Sequence, residues 1–128
     1  MGYKFLIVDD SATTRAIIKR TIQMAQVPTD RIFEAPNGME ALRLLASEPV
    51  DLVLADLHMP EMDGVEMTRR LLADESLRRI PVVIISAEPD TSRLEQLKND
   101  GVRGYLRKPF TPESVRKLLT GALEVCHA

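Results

Sequence analysis

Apolar residues fall into two kinds of pattern along the chain. Short, nearly unbroken apolar runs occur at Phe5-Leu6-Ile7-Val8, Leu52-Val53-Leu54-Ala55 and Pro81-Val82-Val83-Ile84-Ile85. They lack the polar alternation of a strand with one wet face, which predicts strands covered on both faces, as in a parallel sheet. Arg31-Ile32-Phe33-Glu34-Ala35 and Gly104-Tyr105-Leu106-Arg107 are weaker candidates of the same kind. Between these runs the period becomes helical. Ile17, Thr21 and Met24 share one stripe, with Ile18, Ile22 and Ala25 beside it. Ala41, Leu42, Leu44 and Leu45 form a second stripe, and Val65, Thr68, Leu71 and Leu72 a third. Leu94 and Leu97 mark a fourth, and Val115, Leu118, Leu119 and Ala122 a fifth.

The punctuation supports this division. Ser11, Asn37, Asp63, Asp90 or Thr91, and Thr111 are N-caps by residue type and position. Pro112 suits a first helical turn. Pro28, Gly101 and the Glu48-Pro49 pair close helices or open strands. Five βα units in succession predict an α/β fold: a doubly wound, five-stranded parallel sheet with helices on both faces, a three-layer sandwich. The units differ in sequence, and no linker or low-complexity stretch divides them. The expectation is one domain over residues 1–128, with nothing left over for an output domain.

Composition narrows the function classes. A chain of 128 residues with 45% hydrophobic and 28% charged residues forms a core without staples. The single cysteine, Cys126, excludes an internal disulfide and a zinc–cysteine cluster. Lys and Arg number 17 against 19 Asp and Glu, so the basic excess of a nucleic-acid-binding domain is missing. No apolar run approaches the about 20 residues of a membrane span. The N-terminus enters a strand directly, without a signal-peptide pattern, and Gly2 is not in a myristoylation context. A cytoplasmic protein with neither nucleic-acid nor membrane partners is expected.

The chemistry sits where the strands end. The first strong strand leads into Asp9-Asp10, the third ends at Asp56, the fourth at Ser86, and the fifth leads into Lys108-Pro109. In open α/β sheets, ligands bind outside the carboxyl ends of the strands, at a switch point in strand order. With an order of 2-1-3-4-5, strands one and three are neighbours, and Asp9, Asp10 and Asp56 converge on one crevice flanked by Ser86 and Lys108. Three crowded carboxylates repel one another unless they protonate or share a cation. Oxygen ligands with open water positions suit Mg2+, or Mn2+, rather than Zn2+. Such an ion together with the Lys108 ammonium makes a site for a phosphoryl group, with Ser86 as a hydroxyl donor. Asp56, central and alone at its strand end, is the candidate nucleophile.

These residues resemble the receiver domain of two-component response regulators, over nearly the whole chain from Lys4 to about Val125. The matching pieces are Ile7-Val8-Asp9-Asp10-Ser11, the stretch from Asp56 through Met59-Pro60 to Asp63-Gly64, Pro81 through Ser86-Ala87, and Gly101 through Lys108-Pro109-Phe110. The resemblance, not the apolar pattern, supplies the strand order 2-1-3-4-5 and the flavodoxin-like class. It implies that Asp56 is the phosphoacceptor and that Asp10 ligates Mg2+ directly, with Asp9 acting through metal-bound water. It implies that the backbone carbonyl of His58 is a further ligand, that Lys108 pairs with the phosphoryl group, and that Ser86 hydrogen-bonds it. Tyr105 resembles the aromatic that turns inward when that hydroxyl is recruited. Pro109 resembles the proline after a cis peptide.

The implied partners are a sensor histidine kinase or a histidine phosphotransfer protein, and a downstream protein. The downstream target reads the surface of the fourth helix, fifth strand and fifth helix. The resemblance further implies a chain that catalyses only its own phosphorylation and dephosphorylation, monomeric or dimerising on phosphorylation. A chemotaxis-type single-domain regulator and a phosphorelay shuttle are both compatible with it, as is a receiver excised from a longer regulator. A phosphate-independent binding module is the competing class. A flavin carrier conflicts with Asp9-Asp10, which would repel the flavin phosphate.

Other conspicuous residues have plainer readings. His58 and Glu88 line the rim of the crevice and tune water access. Cys126 and His127 lie at a fraying end. Arg69, Arg70, Arg78 and Arg79 form a solvated face, with a docking surface as the alternative. Met59, Met62 and Met67 are packing residues.

Overall fold

The computed structural model describes residues 2–57, 59, 62, 64–87, 95, 98, 99 and 101–127, with side chains as far as 123. Five strands alternate with helices: β1 (Tyr3–Val8), α1 (Ala12–Met24), β2 (Thr29–Ala35), α2 (Gly38–Ser47), β3 (Leu52–Asp56), α3 (Gly64–Ala73), β4 (Val82–Ser86), β5 (Gly104–Arg107) and a C-terminal helix (Pro112–His127). The strands form one sheet of order β2-β1-β3-β4-β5, parallel throughout. The doubly wound α/β class and its strand order are therefore as expected. The helix expected around Leu94 and Leu97 falls largely outside the described residues.

Successive side chains of a strand point to opposite faces, so each buried run feeds two cores. Leu6, Val8, Val53, Ala55, Val82 and Ile84 pack with α2 and α3, on Ala41, Leu45, Met67 and Leu71. Phe5, Ile7, Leu52, Leu54, Val83 and Ile85 pack on the other face with Ile18 and Ile22 of α1 and with Val115 and Leu119 of the C-terminal helix. This two-sided burial is why the strands read as unbroken apolar runs. β2 is an edge strand, exposed over its first three residues, which explains its weaker signal.

The helix ends carry the expected chemistry. Ser11 and Asn37 cap α1 and α2 by accepting from the N–H groups of Thr14 (3.2 Å) and Glu40 (2.9 Å). Thr111 and Ser114 form a reciprocal box: each side-chain oxygen accepts from the other's backbone N–H. Gly101 lies at φ +102°, a backbone conformation open mainly to glycine.

The two stripes of α1 are resolved by the packing. Ile18, Ile22 and Ala25 are buried, whereas Ile17 and Met24 are 54% and 59% exposed. Ile22→Ala is expected to cost about 2–5 kcal/mol through the cavity it leaves. Ile17→Ala should stay within about 0.5 kcal/mol. Urea unfolding of the two variants checks the orientation of the helix.

Candidate functional site

Strand register brings the acidic residues together. Val8 lies opposite Ala55, so the next residues, Asp9 and Asp56, leave the sheet side by side. Asp56 lies opposite Ile85 and Ser86 opposite Arg107, which carries Ser86 and then Lys108 to the same end. Among the described residues, Asp9, Asp10 and Asp56 can each offer a carboxylate oxygen within 4.8 Å of the others. Asp9 is buried, Asp56 half-buried and Asp10 exposed. The Lys108 ammonium lies 4.0 Å from Asp56 Oδ2. The Lys108–Pro109 bond is cis, and the Lys108 N–H donates to the Ser86 carbonyl at 2.9 Å.

Main-chain contacts tie the loops at this end to the sheet. The Leu57 N–H donates to Ile85, and the Gly64 N–H donates back to the Leu57 carbonyl, both at 3.2 Å. A Cβ on residue 64 would lie 2.7 Å from the Asp56 carbonyl oxygen, so only glycine lets α3 start this close to the end of β3. Met59 and Met62 are buried, as their packing role requires. Tyr105 is half-buried, and its hydroxyl donates to the Ser86 carbonyl at 3.3 Å, so it lies turned toward β4. The Ser86 side chain is buried. His58 and Glu88 lie outside the described residues, as do the side chains of Cys126 and His127.

Asp9 carries the electrostatic signature of the site. It is 2% exposed, its Oδ1 accepts from the Ser11 N–H at 2.8 Å, and its Oδ2 is buried without a hydrogen-bond partner. Burial, together with the charge of Asp56, raises its pKa from 3.8 to about 6, against the pull of the Ser11 N–H and of Lys108. An orphaned buried carboxylate oxygen within an all-oxygen donor set fits a hard divalent cation. The residues present thus suit Mg2+.

Two contacts were not foreseen from the sequence. Arg15 Nη1 donates to the Asp9 carbonyl at 2.6 Å, and Arg15 Nε pairs with Glu34 of β2 at 3.2 Å. The available signal was spacing: Arg15 falls in line with Ile18, Ile22 and Ala25, a charge on the buried stripe of α1.

On a sheet of this order, carboxylates crowded between β1 and β3 beneath a lysine from the end of β5 define a receiver of two-component signalling. The chain belongs to the response regulator receiver domain family, which it matches over residues 5–120. It is 35% identical to a chemotaxis protein CheY homolog of Campylobacter jejuni over 121 residues, 94% of this chain and 92% of that protein. The structure of chemotaxis protein CheY4 from Vibrio cholerae superimposes with a TM-score of 0.83 at 30% identity, covering 96% of this chain and all of that one. The receiver domain of the sensor histidine kinase PA1611 from Pseudomonas aeruginosa, with a magnesium ion coordinated in its active-site cleft, has a TM-score of 0.84 at 25% identity. That match covers 97% of this chain and 99% of the other. The chain is thus a CheY-like receiver. Among its described residues, no helix is long and apolar enough to cross a membrane.

A raised carboxyl pKa fixes a sign. The folded protein prefers protonated Asp9, so in the absence of metal its contribution is most favourable below pH 3.8 and is lost as pH rises toward about 6. The full loss is about 3 kcal/mol. In EDTA, Asp9→Asn should therefore be more stable than wild type at pH 8, by up to about 3 kcal/mol. The gap should shrink below pH 6 and close near pH 4. Urea unfolding across that range measures it, and a gap independent of pH would contradict the assignment.

Proposed function

We propose that the chain is a phosphoacceptor of a two-component phosphorelay, with Asp56 as the residue that takes the phosphoryl group. The observation that carries this reading is the convergence of Asp9, Asp10 and Asp56 on one crevice with the Lys108 ammonium against Asp56. The donor is a phosphohistidine of a sensor kinase or a histidine phosphotransfer protein. An Asp56 carboxylate oxygen forms the new P–O bond as the P–N bond breaks. The departing electron pair returns to the imidazole nitrogen, which takes a proton.

Asp9, Asp10 and Asp56, with the backbone carbonyl of His58, would hold Mg2+, which supplies charge neutralisation for the transferred phosphoryl oxygens. Lys108, its ammonium 4.0 Å from Asp56 Oδ2, offers a second positive charge. The Ser86 hydroxyl serves as donor to a phosphoryl oxygen. Tyr105, hydrogen-bonded to the Ser86 carbonyl, links that residue to the face of β5 and the C-terminal helix, which reports the phosphorylated state to a protein partner. The chain acts only on its own Asp56 and not as an enzyme on outside substrates. It works in the cytoplasm.

Intact mass after incubation with acetyl phosphate tests this reading. A gain of about 80 Da, one phosphoryl group, is expected in wild type with Mg2+ and is expected to vanish in EDTA or in Asp56→Asn. Lys108→Ala should slow the gain about 100-fold, as loss of a positioned charge donor does. No gain in wild type under any condition would favour the phosphate-independent binding module.

A further inference from the structure

The structure points to a role for Arg15 and Glu34 that lies outside the acidic cluster. We propose that Arg15 is a positioning residue of the metal site, holding the Asp9-Asp10 turn through the Asp9 main chain, with Glu34 as its anchor. The inference rests on the reading of that cluster as a Mg2+ site.

Arg15 lies one turn into α1, and its side chain is only 17% exposed. It fills the place on the buried stripe that leads to Ile18, Ile22 and Ala25. Its planar fork has two ends. Nη1 donates to the Asp9 carbonyl at 2.6 Å, and Nε donates to Glu34 Oε1 at 3.2 Å. A guanidinium holds two such acceptors in fixed relation, which a single ammonium cannot do. Both main-chain polar groups of Asp9, on the two peptide units that flank its Cα, are thus held. Its N–H donates to the Ala35 carbonyl of β2 at 3.1 Å, and its carbonyl is held by an arginine that is itself tied to β2. On the side chain, the Ser11 N–H holds Oδ1 and leaves Oδ2 for the cluster. The carbonyl of Asp9 belongs to the same peptide plane as the N–H of Asp10. Fixing that plane fixes where the exposed Asp10 carboxylate starts from.

Glu34 has a second effect. A lone guanidinium this close to a divalent-cation site would oppose the cation, and the Glu34 carboxylate offsets it. Charge and geometry therefore make opposite forecasts for Arg15→Met. If Arg15 acted only through its charge, removing it would tighten Mg2+ binding. If it positions Asp9 and Asp10, removing it weakens binding about tenfold, the usual cost of losing a residue that orients a metal ligand.

Isothermal titration with Mg2+ on the full chain separates these cases. Arg15→Met is expected to bind about tenfold more weakly than wild type. Arg15→Lys should recover part of the loss, because it reaches one of the two acceptors. Glu34→Gln should also weaken binding, by freeing the fork and leaving its charge uncompensated. Arg43→Met, which disrupts an exposed pair with Glu40, should bind as wild type does. A second readout needs no metal: the Asp10 amide proton resonance should shift in Arg15→Met and stay in place in Arg43→Met. If wild type takes up no Mg2+, the metal reading fails and this inference falls with it. If wild type binds and Arg15→Met binds equally or more tightly, the inference alone is overturned. Should Arg15→Met fail to fold, the Lys and Gln variants decide, and unchanged affinity in both overturns it.

Discussion

The burial of Asp9 beside the Asp56 carboxylate is the constraint around which this receiver is organised. Two carboxylates leave neighbouring parallel strands at the same level, one of them buried with an orphaned oxygen. Left alone, the arrangement costs stability, and the protein answers by keeping Asp9 protonated to about pH 6. The same crowding that destabilises the metal-free fold makes the crevice receptive to a divalent cation. Stability has been exchanged for readiness to bind, a common condition of functional sites.

The rigidity of the sheet sustains that exchange. Parallel strands buried on both faces cannot slip by one residue without turning their apolar side chains into the wrong core. Register then holds Asp9, Asp56, Ser86 and Lys108 in place more firmly than any local loop could. The loops add only short ties: Ser11 to Asp9, Leu57 to Ile85, Gly64 to Leu57. Gly64 lets α3 begin against the end of β3, and Arg15 reaches across from α1 to the edge strand. Tyr105 spans the two strands nearest the proposed partner face, linked to the residue whose hydroxyl is expected to meet the phosphoryl group.

Much of this could be seen in the sequence because burial on both faces leaves a strong trace. The β1, β3 and β4 runs stand out, and the polar residue that breaks each one falls at a carboxyl end, where sites form. The trace weakens where one side meets water. The first residues of β2 are polar because they lie on an exposed edge, so the strand starts at Thr29 rather than Arg31. On α1, apolarity alone did not choose between the Ile17–Met24 and Ile18–Ala25 stripes, since both carry apolar side chains and only packing selects one. The grip of Arg15 on a main-chain carbonyl was invisible for a further reason: a carbonyl acceptor has no residue identity to read. Strand order came from likeness to a family, because the apolar runs do not say which strands are neighbours.

Proton release on Mg2+ binding tests the central claim most directly. If the cation replaces the proton that burial and Asp56 hold on Asp9, calorimetry in buffers of different ionisation enthalpy at pH 6 should show about half a proton released per Mg2+ bound. The release should fall to zero at pH 8 and be absent from Asp9→Asn. Binding at pH 6 with no proton released would contradict the account, since Asp9 would then already be ionised beside Asp56 without a cation.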